Sequence, residues 1–300
     1  MLGLIKRNLL VYFKNKSSIL FSMLTPIIIL VLYLFFLKVN LVDAINSAAS
    51  AIRDLVDSKD IDSFINGLLL CGIMGSAMIT VPYNTLTSLV NDRESKVDYD
   101  LSATPIKRPK IILSYYISSA LSAFIMTSVV FTIGLVIISL GNPMHIGTSS
   151  VIALYGLILL GSMSATAIFM PMLILFKNTA AVSAFMGIIS AASGFVIGAY
   201  IPLYQFSEGI QTFCNLFPAT GITALLKKTM LGGLLTHIDE DLGGLDSGAF
   251  TSTLREVFGF SGKMFGNTLS GQNCILYIAA VTALFIFAIA IIYPKVYKRK

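Results

Sequence analysis

The sequence predicts an all-α polytopic membrane protein with six transmembrane helices, because of its composition, its apolar runs and the placement of its basic residues. Hydrophobic residues make up 56% of the chain and charged residues 12%, and the mean hydropathy is +0.84. Soluble domains are roughly a quarter charged. The chain is therefore predicted to form a single multi-pass transmembrane domain over residues 1–300, with lipid around it.

Six apolar stretches approach or exceed the roughly 20 residues that a helix needs to cross a bilayer. These predicted spans are Ile19–Leu37, Phe64–Val90, Ile111–Leu140, Val151–Phe176, Ala180–Ile201 and Cys274–Tyr293. The first is too long for a signal peptide, and no small-residue cleavage site follows it. We therefore expect it to be retained as a span.

The distribution of Lys and Arg predicts the orientation of these spans. The two terminal segments, residues 91–110 and Lys177 carry fourteen basic residues, whereas the opposite set of segments carries seven. Cytoplasmic loops carry the excess of basic residues, so both termini are predicted to be cytoplasmic, which six spans satisfy. The net charge of +6 is thus topological information, and it does not indicate nucleic acid as a partner.

Residues 1–18 read as an amphipathic helix lying in the membrane interface. Leu2, Ile5, Leu9 and Tyr12 have helical spacing, and the basic residues lie elsewhere on the segment. The alternative is a basic tail that leads directly into the first span.

Residues 91–110 form the most polar internal segment predicted on the cytoplasmic side. Besides its basic residues it carries Asp92, Glu94, Asp98 and Asp100, although orientation needs basic residues alone. Mixed charge is typical of a surface that recognises a partner. The alternative is an ordinary solvated loop.

The stretch Gly187–Met230 begins as a span but is interrupted by Pro202, Glu208 and Pro218. Proline removes a backbone donor and clashes with the preceding helical turn. Non-helical backbone at membrane depth requires cover from protein or water. We therefore expect short re-entrant helices over residues 202–235 that form an outer gate, followed by an extracellular loop at 236–272.

Two motifs make the chain resemble the membrane subunit of an ABC-2 type transporter, with the type V, ABCG-like exporter fold. Glu94, Leu101, Pro105, Ile106 and Arg108 resemble the family pattern that follows its second span. The run GAYIPL at residues 198–203, followed by Glu208, Gln211 and Pro218, resembles the pattern at the end of its fifth span. The motifs, their order and the six spans make the likeness cover essentially the whole chain.

This resemblance implies a permease that works as a dimer, with an identical or paralogous second permease and two copies of an ABC ATPase. ATP and Mg²⁺ would bind the ATPase, and this chain would bind no cofactor. Residues 1–18 and 91–110 would contact the ATPase. The expected coupling residues are Arg93, Glu94, Lys96, Asp98, Leu101, Pro105 and Arg108, and the expected outer-gate residues are Gly198, Pro202, Glu208 and Pro218.

The gate also departs from the family pattern. Ser207 and Gly209 flank Glu208 where the family often has Pro and Trp, and Ala219, Thr220 and Gly221 follow Pro218 where Tyr or Thr is common. No substrate can therefore be transferred from better-known members.

The sequence contains no GxxxxGK[ST] motif, so we expect no ATPase activity from this chain alone. His145 and His237 look like solitary surface histidines without the three or four converging ligands that a metal site needs, and no metal site is predicted. Cys71 reads as a small packing residue, whereas a disulfide between Cys214 and Cys274 stays open.

Small and apolar side chains supply the remaining candidates. Ser190, Gly194 and Gly198 recur every four residues, which permits close helix packing either within the subunit or at a dimer interface. The candidate cavity residues are Met74, Met78, Phe124, Phe131 and Phe195. Aromatic and Met residues in spans are also typical of ordinary helix packing.

These observations favour an ATP-driven exporter of a hydrophobic or amphipathic substrate, such as a drug, an antibiotic, a peptide or a lipid-linked glycan, in the plasma membrane of a bacterium. One alternative is a non-transporting immunity or sensor protein that binds a membrane-active peptide. An ion-coupled secondary transporter is disfavoured because the spans carry almost no charges away from their ends.

Overall fold

The computed structural model describes residues 1–32, 56–141, 145–243 and 247–296. The helices in this part of the chain are α1 (Leu2–Lys14), α2 (Lys16–Leu32), α3 (Ser58–Glu94), α4 (Val97–Ala103), α5 (Arg108–Gly141), α6 (Thr148–Leu175), α7 (Thr179–Val196), α8 (Glu208–Leu216), α9 (Pro218–Asp241), α10 (Ala249–Val257) and α11 (Gly271–Val296). A 3₁₀ turn at Leu203–Gln205 and a short antiparallel hairpin of β1 (Lys263–Met264) and β2 (Asn267–Thr268) complete them.

Five of these helices are long and apolar enough to cross a membrane, namely α3, α5, α6, α7 and α11. The pair α1 and α2, bent by 73° between them, adds a sixth candidate. The prediction of an all-α polytopic membrane protein is confirmed. Residues 33–37 of the first predicted span lie outside the described residues.

Helix α3 is the centre of the bundle. In its most apolar stretch 94% of the residues are buried, against 17% in α7 and in α11. Small residues let its neighbours approach: a Cβ atom added at Gly75 would lie 2.2 Å from Oγ1 of Thr223 on α9. Close contact through small residues is how helices associate in lipid, and it explains how α3 accepts α9 beside it.

The bundle contains two large apolar clusters, one around each half of α3. One cluster surrounds residues 64–78 of α3 and includes buried side chains of α6, α9 and α10, such as Leu154, Leu235 and Phe250. The other surrounds residues 79–90 and includes buried side chains of α5 and α6. We call these two sides the α10 end and the α4 end, and the α4 end is the one predicted to face the cytoplasm.

Helix α7 ends where the backbone turns sharply. Gly198 has φ +67°, and the N–H groups of Ala199 and Tyr200 both donate to the Gly194 carbonyl, at 2.8 and 3.1 Å. A glycine in the left-handed region just after a helix is a common stop signal. Pro202 then precedes the 3₁₀ turn, and Pro218 is the first residue of α9, so both prolines lie at helix boundaries.

The region after Pro218 differs from the predicted short re-entrant helix. Helix α9 has 24 residues and runs past residue 235 to Asp241, with Leu231, Leu234 and Ile238 buried. It packs along the α10-end half of α3 and against α6. The sequence prediction ended this segment at residue 235 because the residues beyond it are mostly polar. The exposed polar residues lie on one side of α9, whereas Ile238 continues its buried side at helical spacing.

Candidate functional site

Asp92, near the end of α3, is the most heavily bonded acid at the α4 end. Its carboxylate accepts two hydrogen bonds from the guanidinium of Arg7, one of them from Nη2 to Oδ1 at 2.8 Å. Tyr115 of α5 donates its hydroxyl to Asp92 Oδ2 at 2.5 Å. Asp92 is only 3% exposed. A buried carboxylate is tolerated when it is paired and hydrogen-bonded, and here the pairing joins α1, α3 and α5.

The next two residues bind the ends of two further helices. Arg93 Nη1 donates to the carbonyl oxygens of Ile174 and Phe176, at 2.7 and 2.8 Å, where α6 ends. The Glu94 carboxylate accepts from the backbone N–H and the hydroxyl of Thr179, at 2.8 and 2.6 Å, where α7 begins. A cation at a helix C-terminus and an anion at an N-terminus both satisfy unpaired backbone groups and favour the helix dipole.

Three consecutive residues, Asp92, Arg93 and Glu94, therefore join the end of α3 to four other helices. We call them the α3 clasp. Arg93 and Glu94 were predicted as residues that contact an ATPase, whereas the structure shows that both make bonds within the chain. Asp92 was counted only as one of the segment's acids. Its pairing with Arg7, 85 residues away, could not be found from local spacing.

The remaining predicted coupling residues form α4 and the turns on both sides of it. Lys96, with φ +63°, makes the turn between α3 and α4. Leu101 and Ile106 pack on the apolar cluster of the α4 end, while Pro105 is exposed and Arg108, the first residue of α5, is half-buried. Asp98 is half-buried, and partial burial raises the pKa of its carboxyl group. Sequence reasoning missed Tyr99, which is 71% exposed on α4.

The predicted outer-gate residues lie together at the end of α7 and the start of α8 and α9. Gly198 lines a small cavity of about 40 Å³ with Gln211 of α8 and Lys227 of α9. Lys227 is buried and donates its Nζ to the Phe258 carbonyl at 2.9 Å. Glu208 begins α8 as an exposed residue in its first turn. The structure thus brings Gly198 and α8 together and adds Lys227, a buried basic residue within the predicted gate at residues 202–235.

The stripe of small residues on α7 packs within the chain at Gly194. A Cβ atom there would lie 2.3 Å from the Tyr200 ring, and one at Gly198 would lie 2.7 Å from Leu203 Cγ. Ser190, in contrast, lines a cleft beside α2. Of the two readings of the stripe, packing within the subunit therefore explains Gly194 and Gly198.

The predicted cavity residues do not line one cavity. Met74, Met78 and Phe131 are at most 1% exposed in the apolar core, so their assignment to a cavity is corrected to helix packing. Phe124 is half-buried against the same core, and Phe195 is 47% exposed with its ring edge-on to Tyr200. An apolar residue in a span can face core, cavity or lipid, and sequence alone does not separate the three.

A different part of the bundle contains a cleft of about 720 Å³, between α1, α2, α3 and α7. Its wall is partly apolar, with Phe21, Leu24 and Met186, and partly polar, with Asn84 and Ser88. Such a mixed surface can bind a molecule that has both apolar and polar groups.

The structure forms no disulfide between Cys214 and Cys274, and it corrects the prediction made for the two histidines. Cys71, Cys214 and Cys274 are all free and buried. The prediction that His145 and His237 are solitary is wrong, because their ring centroids lie 4.0 Å apart. The contact joins the loop before α6 to α9, which no local spacing could reveal.

Comparison with known families connects these features to a transport system. The family described as "ABC-2 family transporter protein" matches residues 43–293. No curated protein and no solved structure matches the chain. The match covers the α3 clasp, α4, the end of α7 and α9, and membership in this family implies association with an ABC ATPase. The chain therefore belongs to the ABC-2 family of transporter proteins.

Proposed function

We propose that the chain is the permease subunit of an ATP-binding cassette exporter that moves a hydrophobic or amphipathic substrate outward. The observation that carries this proposal is the α3 clasp. Through Asp92, Arg93 and Glu94 a displacement at one end of the bundle reaches α1, α5, α6 and α7 together. A separate ATPase that moves this end would therefore move the bundle as a unit.

The ATPase contact is α4 together with the turns on both sides of it. Leu101 and Ile106 anchor this segment on the apolar cluster of the α4 end. Tyr99 and Asp100 remain exposed on α4, and Lys96 and Pro105 are exposed in the adjacent turns. Exposed tyrosine is one of the residue types that dominate binding energy at protein interfaces. Because the contact residues and the α3 clasp are adjacent in the chain, force on α4 passes directly to α3.

The cleft between α1, α2, α3 and α7 is the substrate path in this proposal. Its volume of about 720 Å³ is within the range of small-molecule sites, roughly 300–1,000 Å³. Its mixed lining fits an amphipathic substrate. A second permease, identical or paralogous, covers the exposed apolar faces of α2 and α7, where Phe21 is 63% and Ile188 66% exposed.

The test is co-expression with the ABC ATPase encoded nearest to this chain, followed by purification and reconstitution in liposomes. We expect the two to co-purify and candidate substrates to stimulate ATP hydrolysis. Tyr99→Ala should weaken the association by at least about tenfold, the effect of losing roughly 1.4 kcal/mol.

Tyr204→Ala is the matched control, because Tyr204 is also exposed, at 48%, but lies after α7 near the α10 end. Equal ATPase retention by the two variants would contradict the assignment of α4. A wild-type chain that binds no ATPase, yet protects cells against a membrane-active peptide, would overturn the exporter proposal in favour of an immunity protein.

A further inference from the structure

Three elements meet in a cluster of imidazole and carboxylate groups at the α10 end. Asp60 lies in the first turn of α3, His145 in the loop before α6, and His237 in the last turns of α9. One ligand atom from each residue can be chosen so that all lie within 4.8 Å of one another. Asp241, one turn beyond His237, brings its Oδ2 to 3.2 Å from His237 Nδ1. None of these residues belongs to the features proposed for transport.

Two carboxylates of this cluster converge on His237 Nδ1 without a hydrogen bond to it. His237 Nδ1 is shielded from solvent and has no hydrogen-bond partner among the described residues, although Asp60 Oδ2 lies 3.5 Å from it. Asp60 itself is only 4% exposed. The N-terminus of α3 favours an acid in its first turn, but a ring nitrogen that is shielded from solvent loses free energy without a hydrogen-bond partner. A cation between the Asp60 carboxylate and this nitrogen would give the nitrogen a partner.

The backbone conformation at His145 and the glycine at position 233 place the His145 loop directly against α9. A Cβ atom at Gly233 of α9 would lie 2.3 Å from the His145 carbonyl oxygen, so only a glycine lets the loop approach that closely. His145 also has φ +46°, a conformation that non-glycine residues seldom adopt. The Thr251 hydroxyl of α10 donates one bifurcated hydrogen bond to both carboxylate oxygens of the nearby Asp239, so Asp239 is occupied outside the cluster.

We propose that Asp60, His145 and His237, with Asp241 as the fourth ligand, form a zinc site that ties α3, the loop before α6 and α9 together. Two imidazoles and two carboxylates are a ligand set that zinc accepts in tetrahedral geometry. Calcium and magnesium prefer oxygen ligands throughout. Zinc ligands at about 2.1 Å from the ion lie roughly 3.4 Å apart. The exposed side chains of His145 and Asp241 can rotate to reach that spacing around the fixed Asp60.

The experiment measures zinc binding by the full chain, purified in detergent with its affinity tag removed and treated with a chelator. Titration against a chromophoric zinc indicator is expected to give one zinc per chain with a Kd of about 1 µM or lower. Thermal unfolding should shift upward as zinc is added, because a ligand that binds the folded state stabilises it by mass action.

Variants separate the site from adventitious binding. Asp60→Asn and His237→Gln should each weaken zinc binding at least about tenfold, since even residues behind the ligands change affinity by about 10- to 100-fold. Asp62→Asn is the matched control, because Asp62 is exposed two residues further along α3, and its affinity should equal that of the wild type.

Two results would overturn the proposal. One is a wild-type chain that binds zinc no more tightly than about 1 mM, a measurement that depends on no variant. The other is equal zinc affinity in Asp60→Asn and Asp62→Asn. Neither measurement involves transport or ATP hydrolysis, so this test stands or fails separately from the proposed function.

Discussion

Each end of α3 carries a buried aspartate, but the two aspartates differ in their hydrogen-bond partners. Asp92 at the α4 end is 3% exposed and Asp60 at the α10 end is 4% exposed. Asp92 accepts hydrogen bonds from Arg7 and from Tyr115. Asp60, in contrast, faces a histidine nitrogen at 3.5 Å that forms no hydrogen bond with it. Because burial is equal, the partners alone make the difference.

This difference shows that burial of an acid does not by itself reveal its role. A carboxylate whose lone pairs are used by fixed donors on two other helices stabilises one arrangement of those helices. A carboxylate that faces an imidazole nitrogen without a hydrogen bond to it is suited to an added cation. At the α4 end the aspartate joins three helices through hydrogen bonds, and at the α10 end it belongs to the candidate zinc site.

The largest effect is expected from Asp92→Asn compared with Asp60→Asn in zinc-free protein. Removing one partner of a buried ion pair costs about 3 kcal/mol, at the low end of the range because Arg7 is 32% exposed. Asp60→Asn removes a buried charge that lacks a hydrogen-bonded partner at His237, so its cost should stay below about 1 kcal/mol. Thermal unfolding in detergent measures both.

Asp100→Asn controls for the loss of a carboxylate at the α4 end, because Asp100 is exposed on α4, and its unfolding temperature should not change. Equal destabilisation by Asp92→Asn and Asp60→Asn would show that the two ends do not differ as described.

A middle-sized effect is expected at the end of α7, the helix that begins beside the α3 clasp at Thr179 and ends at Val196, just before Gly198. Gly198→Ala forces a side chain into the left-handed region, which costs about 1–2 kcal/mol, and it also presses on Leu203. Gly187→Ala, in the same helix, meets nothing within 4 Å and should stabilise α7 slightly. Thermal unfolding of both variants, compared with the wild type, measures the difference.

A lower unfolding temperature for Gly187→Ala than for Gly198→Ala would contradict this account of the α7 terminus.

Much of the fold could be predicted because the bilayer imposes it. Long apolar runs must be helices, since the backbone finds no other partners in lipid, and five predicted spans correspond to α3, α5, α6, α7 and α11. Pro202 and Pro218 correctly predicted helix boundaries because proline lacks the backbone N–H that a helix interior needs. The turn at Gly198 agrees with the predicted end of the fifth span.

The site residues were harder to predict because their partners are distant in the chain. Arg7 hydrogen-bonds to Asp92, and His145 contacts His237, only after the helices have packed. Met74 and Met78 were assigned to a cavity but lie in the core, because hydrophobicity in lipid does not show which face of a helix meets protein. The long apolar runs thus located the helices but not their inward faces.

The smallest effect is expected from Glu94→Gln, and it tests whether the α3 clasp acts inside the chain or at the ATPase. Glutamine keeps an oxygen that can accept from Thr179 but loses the charge that favours the start of α7. We expect a fall in unfolding temperature clearly smaller than that of Asp92→Asn, with unchanged co-purification of the ATPase. If Glu94→Gln instead abolished co-purification at an unchanged unfolding temperature, Glu94 would contact the ATPase directly. The cap on α7 would then be a secondary use of the same carboxylate.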